Sequence, residues 1–599
     1  MPLTMALADE EPMTSQASHA SSASTPEHRG SAGTPEPRRR LKRPALAALA
    51  SLAVVAAVAG AAPGAGAAPA ASTTPGTPQL KLIAATNAVV LDRYEWNDGV
   101  LLDLGTYITV DGAPLEFQVT RKSYKDPIVA KQILRDGKKT KTRTLPKGLV
   151  TDHGGLPGFL EISIKNTAGD EVLKTESTFC PNNASGRIRP DAPSTSHYPQ
   201  SCSTNPWTLG SVWGVEKGWA VNTTQFRYDQ TVNLPVGEYT AEVGVAKKYR
   251  DLFGIPDERP TVKVTVRQYE DGEGGGGVGL ATTKSSAHHG GHGSGHAAQQ
   301  DPSMPPTHGY GPRGEDVPMP PALSHALEDR GRASHLGDGP GHTDGSRIAP
   351  ALKPAAKRPT GKAGAPANVP KPDLRSLPAW GIAVTDGEDG DVPGKDYLAF
   401  SANVWNAGPA PLVVDGFRKP GADLMDSYQY FYDASGKQVG YAPAGTMEWD
   451  PREGHEHWHF TDFASYRLLS EDQTKEVRSG KEAFCLANTD AIDYTVKNAN
   501  WHPENTDLST ACGEESAISV REVLDVGSGD TYTQERPGQS FDITDLPNGT
   551  YYIQVIANPA NRLQEADTSN NVALRKVVLG GTPGARTVQV PPHDLIDAP

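Results

Sequence analysis

The chain contains few of the hydrophobic and aromatic residues that form protein cores, and its net charge is negative. Hydrophobic residues make up 37% of its 599 residues and aromatic residues 7%, whereas it contains 62 glycines and 51 prolines. This composition indicates long segments that cannot bury enough apolar surface to fold. The formal net charge is −14, and phosphate recognition needs a basic face. The sequence therefore argues against nucleic-acid binding and favours cationic partners.

Cysteine is also scarce, with four residues in the chain. Cys180 and Cys202 lie in one half, and Cys485 and Cys512 lie in the other. Several connectivities are possible for four cysteines, but a long linker separates the two pairs. In an oxidising compartment we expect two local disulfides, Cys180 with Cys202 and Cys485 with Cys512.

The N-terminal region reads as an export signal. A basic cluster at residues 38–43 precedes an Ala-rich apolar run at residues 45–62, and small residues follow up to Ala70. This order is typical of a secretory signal, and the paired arginines loosely fit a twin-arginine signal. The alternative is an uncleaved membrane anchor, but the run is only weakly hydrophobic. We expect a disordered extension at 1–37, a signal at 38–70, and a secreted protein that is extracellular or associated with the cell envelope.

The rest of the chain divides by composition into two β-rich stretches and a linker. Residues 78–269 and 374–585 show short alternating runs broken by Gly, Pro, Asn and Asp, which is typical of β-sandwiches. Residues 270–373 are rich in Gly, His, Pro and Ala and predict a disordered linker, whose histidines either capture metal loosely or are incidental. Residues 586–599 form a tail. The sequence thus predicts an all-β protein of two β-sandwich-like modules joined by a long disordered linker.

The first β-rich stretch offers no clustered titratable residues, so its role stays open. Its tryptophans, including Trp207, Trp213 and Trp219, are expected in the core or at its rim. A six-residue pattern, LP-x-G-x-Y, occurs at residues 234–239 and again at residues 546–551 of the second stretch. The repeat suggests that both modules share a sandwich plan.

The second stretch contains three alternating histidines, His455, His457 and His459. In a strand, side chains two apart leave the same face roughly 7 Å apart, so the three rings can approach one ion. A face of imidazoles without thiolates favours copper or zinc. The alternative is a His-rich strand on the protein surface.

Three segments of this stretch, taken in order, resemble the lysyl oxidase family. They are EWDPREGHEHWHFTDFASYRLL at residues 448–469, GKEAFCL at residues 480–486, and residues 529–571, which contain GDTY, FDITD and NPANRLQEADTSNN. The resemblance covers about residues 375–580, roughly a third of the chain. It implies a catalytic domain made of β-strands.

The resemblance also implies a metal and a cofactor. In that family the alternating histidines bind copper, and they fall here on His455, His457 and His459. The family's lysine tyrosylquinone joins a lysine to a tyrosine of the same chain, and the matching positions are Lys481 and Tyr532. Without the resemblance, the sequence would predict that Lys481 is an exposed strand residue and that Tyr532 is an aromatic residue in the core or at its edge.

The implied activity is that of a copper amine oxidase. Such an enzyme converts primary amines, either small soluble amines or lysine side chains of extracellular proteins, to aldehydes, consuming dioxygen and releasing hydrogen peroxide and ammonia. Asp530 is our first candidate for the base that accepts the substrate proton. Asp542 and Asp545 are alternative candidates for this base, or they order the turn before Gly549.

Two other functions fit the same histidines. A non-catalytic β-sandwich would hold copper or zinc with a closed coordination shell. A cupin-type metalloenzyme also begins its motif with H-x-H, but after the triad only His502 and His593 follow. His502 is either a further ligand or a surface histidine.

Animal lysyl oxidases carry a histidine and a cysteine shortly before the triad, whereas this chain has DPREG at residues 450–454.

Overall fold

The computed structural model describes eleven segments of the chain. They are residues 76–94, 99–183, 185–224, 231–269, 364–386, 392–419, 421–433, 435–451, 456–506, 508–533 and 540–593. The expected extension and signal, almost all of the expected linker, the end of the tail and His455 lie outside these residues. Among the described residues, no helix is both long enough and apolar enough to cross a membrane.

The N-terminal module, defined as described residues 76–269, is built from β-strands and one short helix. The strands are β1 (Gln79–Ala84), β2 (Ala88–Tyr94), β3 (Gly99–Val100), β4 (Thr106–Asp111), β5 (Leu115–Thr120), β6 (Val129–Asp136), β7 (Lys139–Thr144), β8 (Leu156–Asn166), β9 (Glu171–Phe179), β10 (Ser185–Arg187), β11 (Gly210–Val215), β12 (Trp219–Asn222), β13 (Gly237–Val245) and β14 (Thr261–Gln268). Helix α1 (Lys247–Phe253) lies between the last two strands.

These strands form three sheets among the described residues, in the orders β1-β4-β12-β10, β11-β5-β6-β7 and β3-β2-β14-β13-β8-β9. Their inner faces enclose one hydrophobic core that includes Phe117, Phe159, Phe179 and Trp213, each essentially without solvent exposure. Strands β2 and β14 pair in parallel, whereas neighbours such as β13 and β14 pair antiparallel. The alternation of buried and exposed residues along β14 shows that one face of its sheet covers this core.

The C-terminal module, defined as described residues 364–593, is made of two sheets. Its strands are β15 (Leu374–Ser376), β16 (Trp380–Thr385), β17 (Tyr397–Asn406), β18 (Leu412–Arg418), β19 (Leu424–Tyr432), β20 (Gln438–Asp450), β21 (His457–Leu469), β22 (Glu476–Phe484), β23 (Asp490–Ala491), β24 (Ser519–Leu524), β25 (Ser528–Thr533), β26 (Phe541–Asp542), β27 (Gly549–Ala557), β28 (Val572–Thr582) and β29 (Ala585–Gln589). Strand β29 pairs with β28, and all but its first residue lie in the range that the sequence assigned to the tail.

The smaller sheet has the order β15-β17-β25-β23, with β16 and β26 also paired to β17. The larger sheet has the order β24-β18-β19-β20-β21-β27-β28-β29, with β22 paired to β21. The two sheets share a hydrophobic core, in which Phe400 of β17 meets Tyr466 of β21 edge to face at 5.8 Å. The predicted all-β class with two β-rich modules is therefore confirmed.

The repeated LP-x-G-x-Y pattern forms the same corner in both modules. The hydroxyl of Tyr239 donates to the carbonyl of Pro235 at 2.9 Å, and the hydroxyl of Tyr551 donates to the carbonyl of Pro547 at the same distance. Each tyrosine lies near the start of a nine-residue strand, β13 or β27. A tyrosine that ties a strand to the chain just before it is typical of β-sandwiches. The two modules therefore share this local device.

Both predicted disulfides are present. Cys180 pairs with Cys202, and Cys485 pairs with Cys512. The first disulfide is part of the N-terminal core, and the second joins the end of β22 to the loop before β24.

Candidate active site

The histidine motif continues into β21, whose first residue is His457. Strand alternation places His457 and His459 on one face, with ring centroids 4.5 Å apart. Their exposed fractions are 7% and 3%, so these two imidazoles are buried and do not belong to an exposed surface strand. Between them, Trp458 points into the core of the module and is fully buried.

Strand β20 brings a carboxylate to this face. Asp450 pairs with His457 across the two strands, and its Oδ2 lies 3.6 Å from Nδ1 of His459. This distance is longer than a hydrogen bond, but both groups are buried, so their electrostatic interaction is weakly screened. A carboxylate near Nδ1 favours a proton there and leaves Nε2 to bind a metal.

Three metal-binding side chains do not come together within the part of the chain that the structure describes. The third histidine of the motif, His455, lies outside that part. Copper coordination by His455, His457 and His459 stays a prediction.

Lys481 lies on the strand next to the histidine strand. Strand β22 pairs antiparallel with β21, and Lys481 stands opposite Ser465. At the start of β21, Phe460 pairs with Phe484, the last residue of β22. The backbone of Lys481 is thus in the same sheet as the histidines, and Cys485 follows directly after its strand.

Tyr532 reaches this region from the opposite sheet. It lies on β25, opposite Ala402 of β17, and its half-buried ring packs against the shared core. Its hydroxyl donates to the carbonyl oxygen of Cys485 at 2.7 Å. The phenol oxygen is therefore fixed at the end of the strand that carries Lys481.

Acidic side chains surround the phenol. Burial raises the pKa of Tyr532 well above its usual value, and the charge and hydrogen bonding of Asp530 raise it further, as does the charge of Glu522. Asp530 is 1% exposed and accepts the N–H of Ala487 at 3.2 Å, while Glu522 accepts the N–H of Leu486 at 2.9 Å. At neutral pH the phenol is therefore protonated and donates its hydrogen.

Asp542 and Asp545 have structural partners. Asp542 binds the ammonium of Lys395 at 2.7 Å and accepts the N–H of Thr544, and Asp545 binds Arg478. Burial opposes the charge of Asp542, but the hydrogen bonds from Lys395 and Thr544 prevail and lower its pKa. Asp542 thus orders the turn before β27 and Asp545 connects it to β22, while the choice among the three carboxylates as the base stays a prediction.

The Cys485–Cys512 disulfide links the phenol to the histidine strand. The Tyr532 hydroxyl binds the carbonyl of Cys485, and the backbone N–H of Trp458 donates to the carbonyl of Cys512 at 3.2 Å. The sequence predicted this disulfide but not its position between the two candidate groups. The signal available in the sequence was that Lys481 and Cys485 lie close together along the chain.

His502 lies away from the residues of this candidate site. Its Nε2 is 3.2 Å from a carboxylate oxygen of Glu116, in the N-terminal module. Its ring also meets that of Tyr198 at 5.3 Å. This histidine therefore takes part in a contact between modules, and its expected alternative as a further metal ligand has no support in this geometry.

The fold and these side chains define a β-sandwich module with paired imidazoles, a neighbouring lysine strand and a half-buried phenol. Residues 433–585 match the family model described as lysyl oxidase. This match confirms the resemblance to the lysyl oxidase family over these residues of the C-terminal module.

Several curated relatives agree with this assignment. The chain is 32% identical over 130 residues to lysyl oxidase homolog 4 of Mus musculus, covering 22% of this chain and 15% of that protein. It is 33% identical over 132 residues to lysyl oxidase homolog 3B of Danio rerio, covering 21% and 14%. It is 31% identical over 129 residues to lysyl oxidase homolog 3 of Homo sapiens, covering 21% and 15%. The chain thus spans only about 15% of the length of these relatives.

A comparison with solved structures gave a tetra-tandem repeat from the extending region of a large adhesion protein. The TM-score is 0.09 and the identity 7%, with 85% of this chain and 100% of that chain covered. This similarity carries no structural or functional conclusion.

Proposed function

We propose that the C-terminal module is a copper-dependent amine oxidase of lysyl oxidase type. It would convert primary amines to aldehydes with dioxygen as the oxidant, releasing hydrogen peroxide and ammonia. The proposal rests chiefly on one arrangement: the phenol of Tyr532 is hydrogen bonded at the end of the Lys481 strand, and that strand pairs with the strand of His457 and His459. The family match over residues 433–585 supports it.

The described residues support the proposed metal and cofactor. Two buried imidazoles with ring centroids 4.5 Å apart supply nitrogen donors that suit copper, and His455 is the proposed third ligand. Copper bound there would supply the dioxygen chemistry that side chains lack, and lysine tyrosylquinone formed from Lys481 and Tyr532 would supply an electrophilic carbonyl.

The chain itself supplies positioning and proton transfer. The carbonyl of Cys485 orients the Tyr532 ring by accepting a hydrogen bond from its hydroxyl. Asp530 is two residues away on the same face of β25, and the N–H of Ala487 holds its carboxylate. We assign to Asp530 the acceptance of the proton from the substrate carbon.

The substrate class follows from charge and chemistry. A primary amine carries an ammonium group in solution, and a chain with a formal net charge of −14 attracts cations. We propose small soluble amines or lysine side chains of extracellular proteins as substrates. Export by the signal at 38–70 would place the enzyme outside the cytoplasm, where its two disulfides are stable.

A non-catalytic metal site is the second candidate. The observation that favours it is the burial of His457 and His459, whose exposed fractions are 7% and 3%. If a further protein ligand completed the coordination shell in this buried place, no position would stay open for dioxygen. In that case Lys481 and Tyr532 would never be joined.

Peptide mass spectrometry of protein matured with copper distinguishes the two functions. An oxidase yields a cross-linked peptide pair that contains Lys481 and Tyr532, and Tyr532→Phe removes it. Tyr551→Phe is the matched control, because it also deletes a tyrosine hydroxyl that binds a backbone carbonyl. Recovery of the two peptides as separate, unmodified species from fully copper-loaded wild-type protein would reject the oxidase and leave the metal-binding protein.

A further inference from the structure

The N-terminal module binds the C-terminal module through the backbone that leads into β11. The hydroxyl of Thr208 donates to the carbonyl of Ala491 at 2.9 Å. The N–H of Gly210 donates to the carbonyl of Ile492 at 3.1 Å, and the carbonyl of Gly210 accepts the N–H of Tyr494 at 3.0 Å. These bonds form a short ladder between the modules, and Gly210 forms a parallel bridge in it.

A tryptophan anchors the same contact. Trp207 is 1% exposed. Its indole belongs to a cluster whose other buried members all come from the C-terminal module: Leu377, Trp380, Trp405 and Ile492. Burial of such a large apolar side chain stabilises an interface. Trp207 is therefore a docking residue, whereas Trp213 lies in the core of its own module.

Gly210 allows the close approach of the two backbones. A Cβ atom at this position would lie 3.0 Å from Oδ1 of Asp493 and 3.2 Å from the backbone nitrogen of Tyr494. A larger residue would push away residues 489–494 of the C-terminal module, the docked segment. The absence of a side chain is thus required by contact with the other module.

The docked segment also holds the Tyr532 strand. The hydroxyl of Thr489 accepts the N–H of Thr531 at 2.7 Å, and the carboxylate of Asp490 accepts the hydroxyl of Thr531. Thr531 lies between Asp530 and Tyr532, so both of its neighbours are candidate catalytic groups. The contact continues into the N-terminal module, because the amide of Asn205 donates to the same carboxylate of Asp490 at 3.5 Å.

Within its own module the docked segment bonds mainly to β25 and to the turn before it: the N–H groups of Ile492 and Asp493 donate to the carbonyl of Gly527, and the N–H of Thr489 donates to that of Gly529. Strand β23 contains two residues, and it pairs with β25 only at the two positions Gly529 and Ser528 among the described residues. So short an edge strand is weak without further support. Gly527, at φ 83°, turns the chain into β25, and a Cβ there would lie 2.6 Å from the carbonyl of Asp493. The position of β25 is therefore coupled to that of the docked segment.

A second contact secures the same region. The ring of His502 reaches Glu116, whose carboxylate is fully buried and binds Arg135 in a two-pronged ion pair. The amide of Asn505 donates to the carbonyl of Ser196. The loop that follows the docked segment is thus also attached to the N-terminal module.

We propose that the N-terminal module is an internal brace for strand β25. It holds residues 489–494, and these hold Thr531, so that Tyr532 and Asp530 keep their positions. Trp207 and Thr208 act as positioning residues that touch neither substrate nor cofactor. The effect of the brace on the active site rests on the proposed oxidase function, but its effect on the mobility of β25 does not.

Hydrogen exchange of the full-length, copper-free protein tests the brace. We expect Thr208→Val to make amides of residues 489–494 and 528–533 exchange about tenfold faster, because the hydrogen bond to Ala491 is lost. Thr208→Ser restores the hydroxyl and should restore slow exchange. Trp207→Ala should produce a larger change in the same peptides. Tyr551→Phe, which also removes a hydroxyl bonded to a backbone carbonyl but lies outside the contact between the modules, is the control and should leave residues 528–533 unchanged.

The outcomes separate the brace from the oxidase. Unchanged exchange at residues 528–533 in both Thr208→Val and Trp207→Ala overturns the brace, whatever the activity of the protein. Equal acceleration in Tyr551→Phe also overturns it, because general destabilisation would then explain the effect. If exchange responds as expected but wild-type protein never forms the Lys481–Tyr532 cross-link, the brace stands and the oxidase function falls. If both the brace and the oxidase function hold, Thr208→Val should lower the cross-linked fraction after copper loading, and Thr208→Ser should restore it.

Discussion

The hydroxyl of Tyr532 donates a 2.7 Å hydrogen bond to the carbonyl oxygen of Cys485. This bond joins two sheets, because Tyr532 lies on β25 and Cys485 directly follows β22. It also brings Tyr532 to the end of the strand that carries Lys481, the other proposed part of the cofactor. Among the described contacts, this one connects the proposed precursor groups most directly.

Tyr532→Phe should abolish the quinone but leave the module folded. The substitution removes the phenol oxygen and leaves the carbonyl of Cys485 without this donor, at a cost of about 1 kcal/mol in the free energy of unfolding. A redox-cycling stain for quinones and chemical denaturation measure the two effects. Tyr551→Phe loses its bond to Pro547 and should show a similar loss of stability with full quinone staining. Quinone staining that persists in Tyr532→Phe would exclude this tyrosine as the precursor.

His459→Ala should weaken copper binding by about 100-fold or more, because it deletes a proposed ligand. Asp450→Asn should weaken it by roughly 10-fold to 100-fold, because its carboxylate lies next to the ring without being an assigned ligand. Competition with a chromogenic chelator measures both affinities. His502→Gln is the control, since that ring contacts Glu116 in the other module. Wild-type copper affinity in His459→Ala would remove this residue from the metal site.

Asp530→Asn should retain the fold and lose turnover. The amide oxygen of Asn can still accept the N–H of Ala487, but it cannot take a proton from the substrate. We expect a loss in kcat of about 100-fold to 10,000-fold, measured as peroxide released from a primary amine. The pKa of Tyr532 should also fall, because the negative charge of Asp530 contributes to raising it. Asp542→Asn, at a carboxylate bound to Lys395, should keep its turnover. Full turnover in Asp530→Asn would assign the base elsewhere.

Local patterns allowed part of this site to be predicted. The shared face of His457 and His459 follows from strand alternation alone, and the two disulfides follow from the positions of the four cysteines. The repeated tyrosine corner was visible as a six-residue pattern. In each case the determining residues are close together in the chain, or their number leaves few choices.

Long-range packing could not be predicted in the same way. The sequence placed Trp207 in a core or at its rim, but the cluster that receives it belongs to the other module. The bond between Tyr532 and Cys485 depends on how the two sheets face each other, and their residues are 47 positions apart. Strand alternation fixes the face on which a side chain lies, but it does not fix which sheet covers that face. The described parts of both modules lie in one compact unit, although composition suggested only a linker between them.

Asp525→Asn should stabilise the protein at neutral and alkaline pH. Burial raises the pKa of Asp525 from 3.8 to about 6, although the N–H of Val526 binds its carboxylate. Between these two pH values the folded state binds more protons than the unfolded state, so stability falls as the pH rises through this window. Above it, the cost of the buried charge is fully present, and removing the charge should raise the free energy of unfolding by on the order of 1–3 kcal/mol.

Chemical denaturation at pH 4 and pH 8 measures this difference. The variant and the wild type should be nearly equal at pH 4, and the variant should be more stable at pH 8, since an Asn oxygen can still accept the N–H of Val526. Asp472→Asn is a control of opposite sign, because hydrogen bonds from Ser470 and Thr474 lower the pKa of this exposed carboxyl to about 2. Removing its charge should give no gain at pH 8. A loss of stability at pH 8 in Asp525→Asn would show that its charge is compensated in the fold, contrary to the raised pKa.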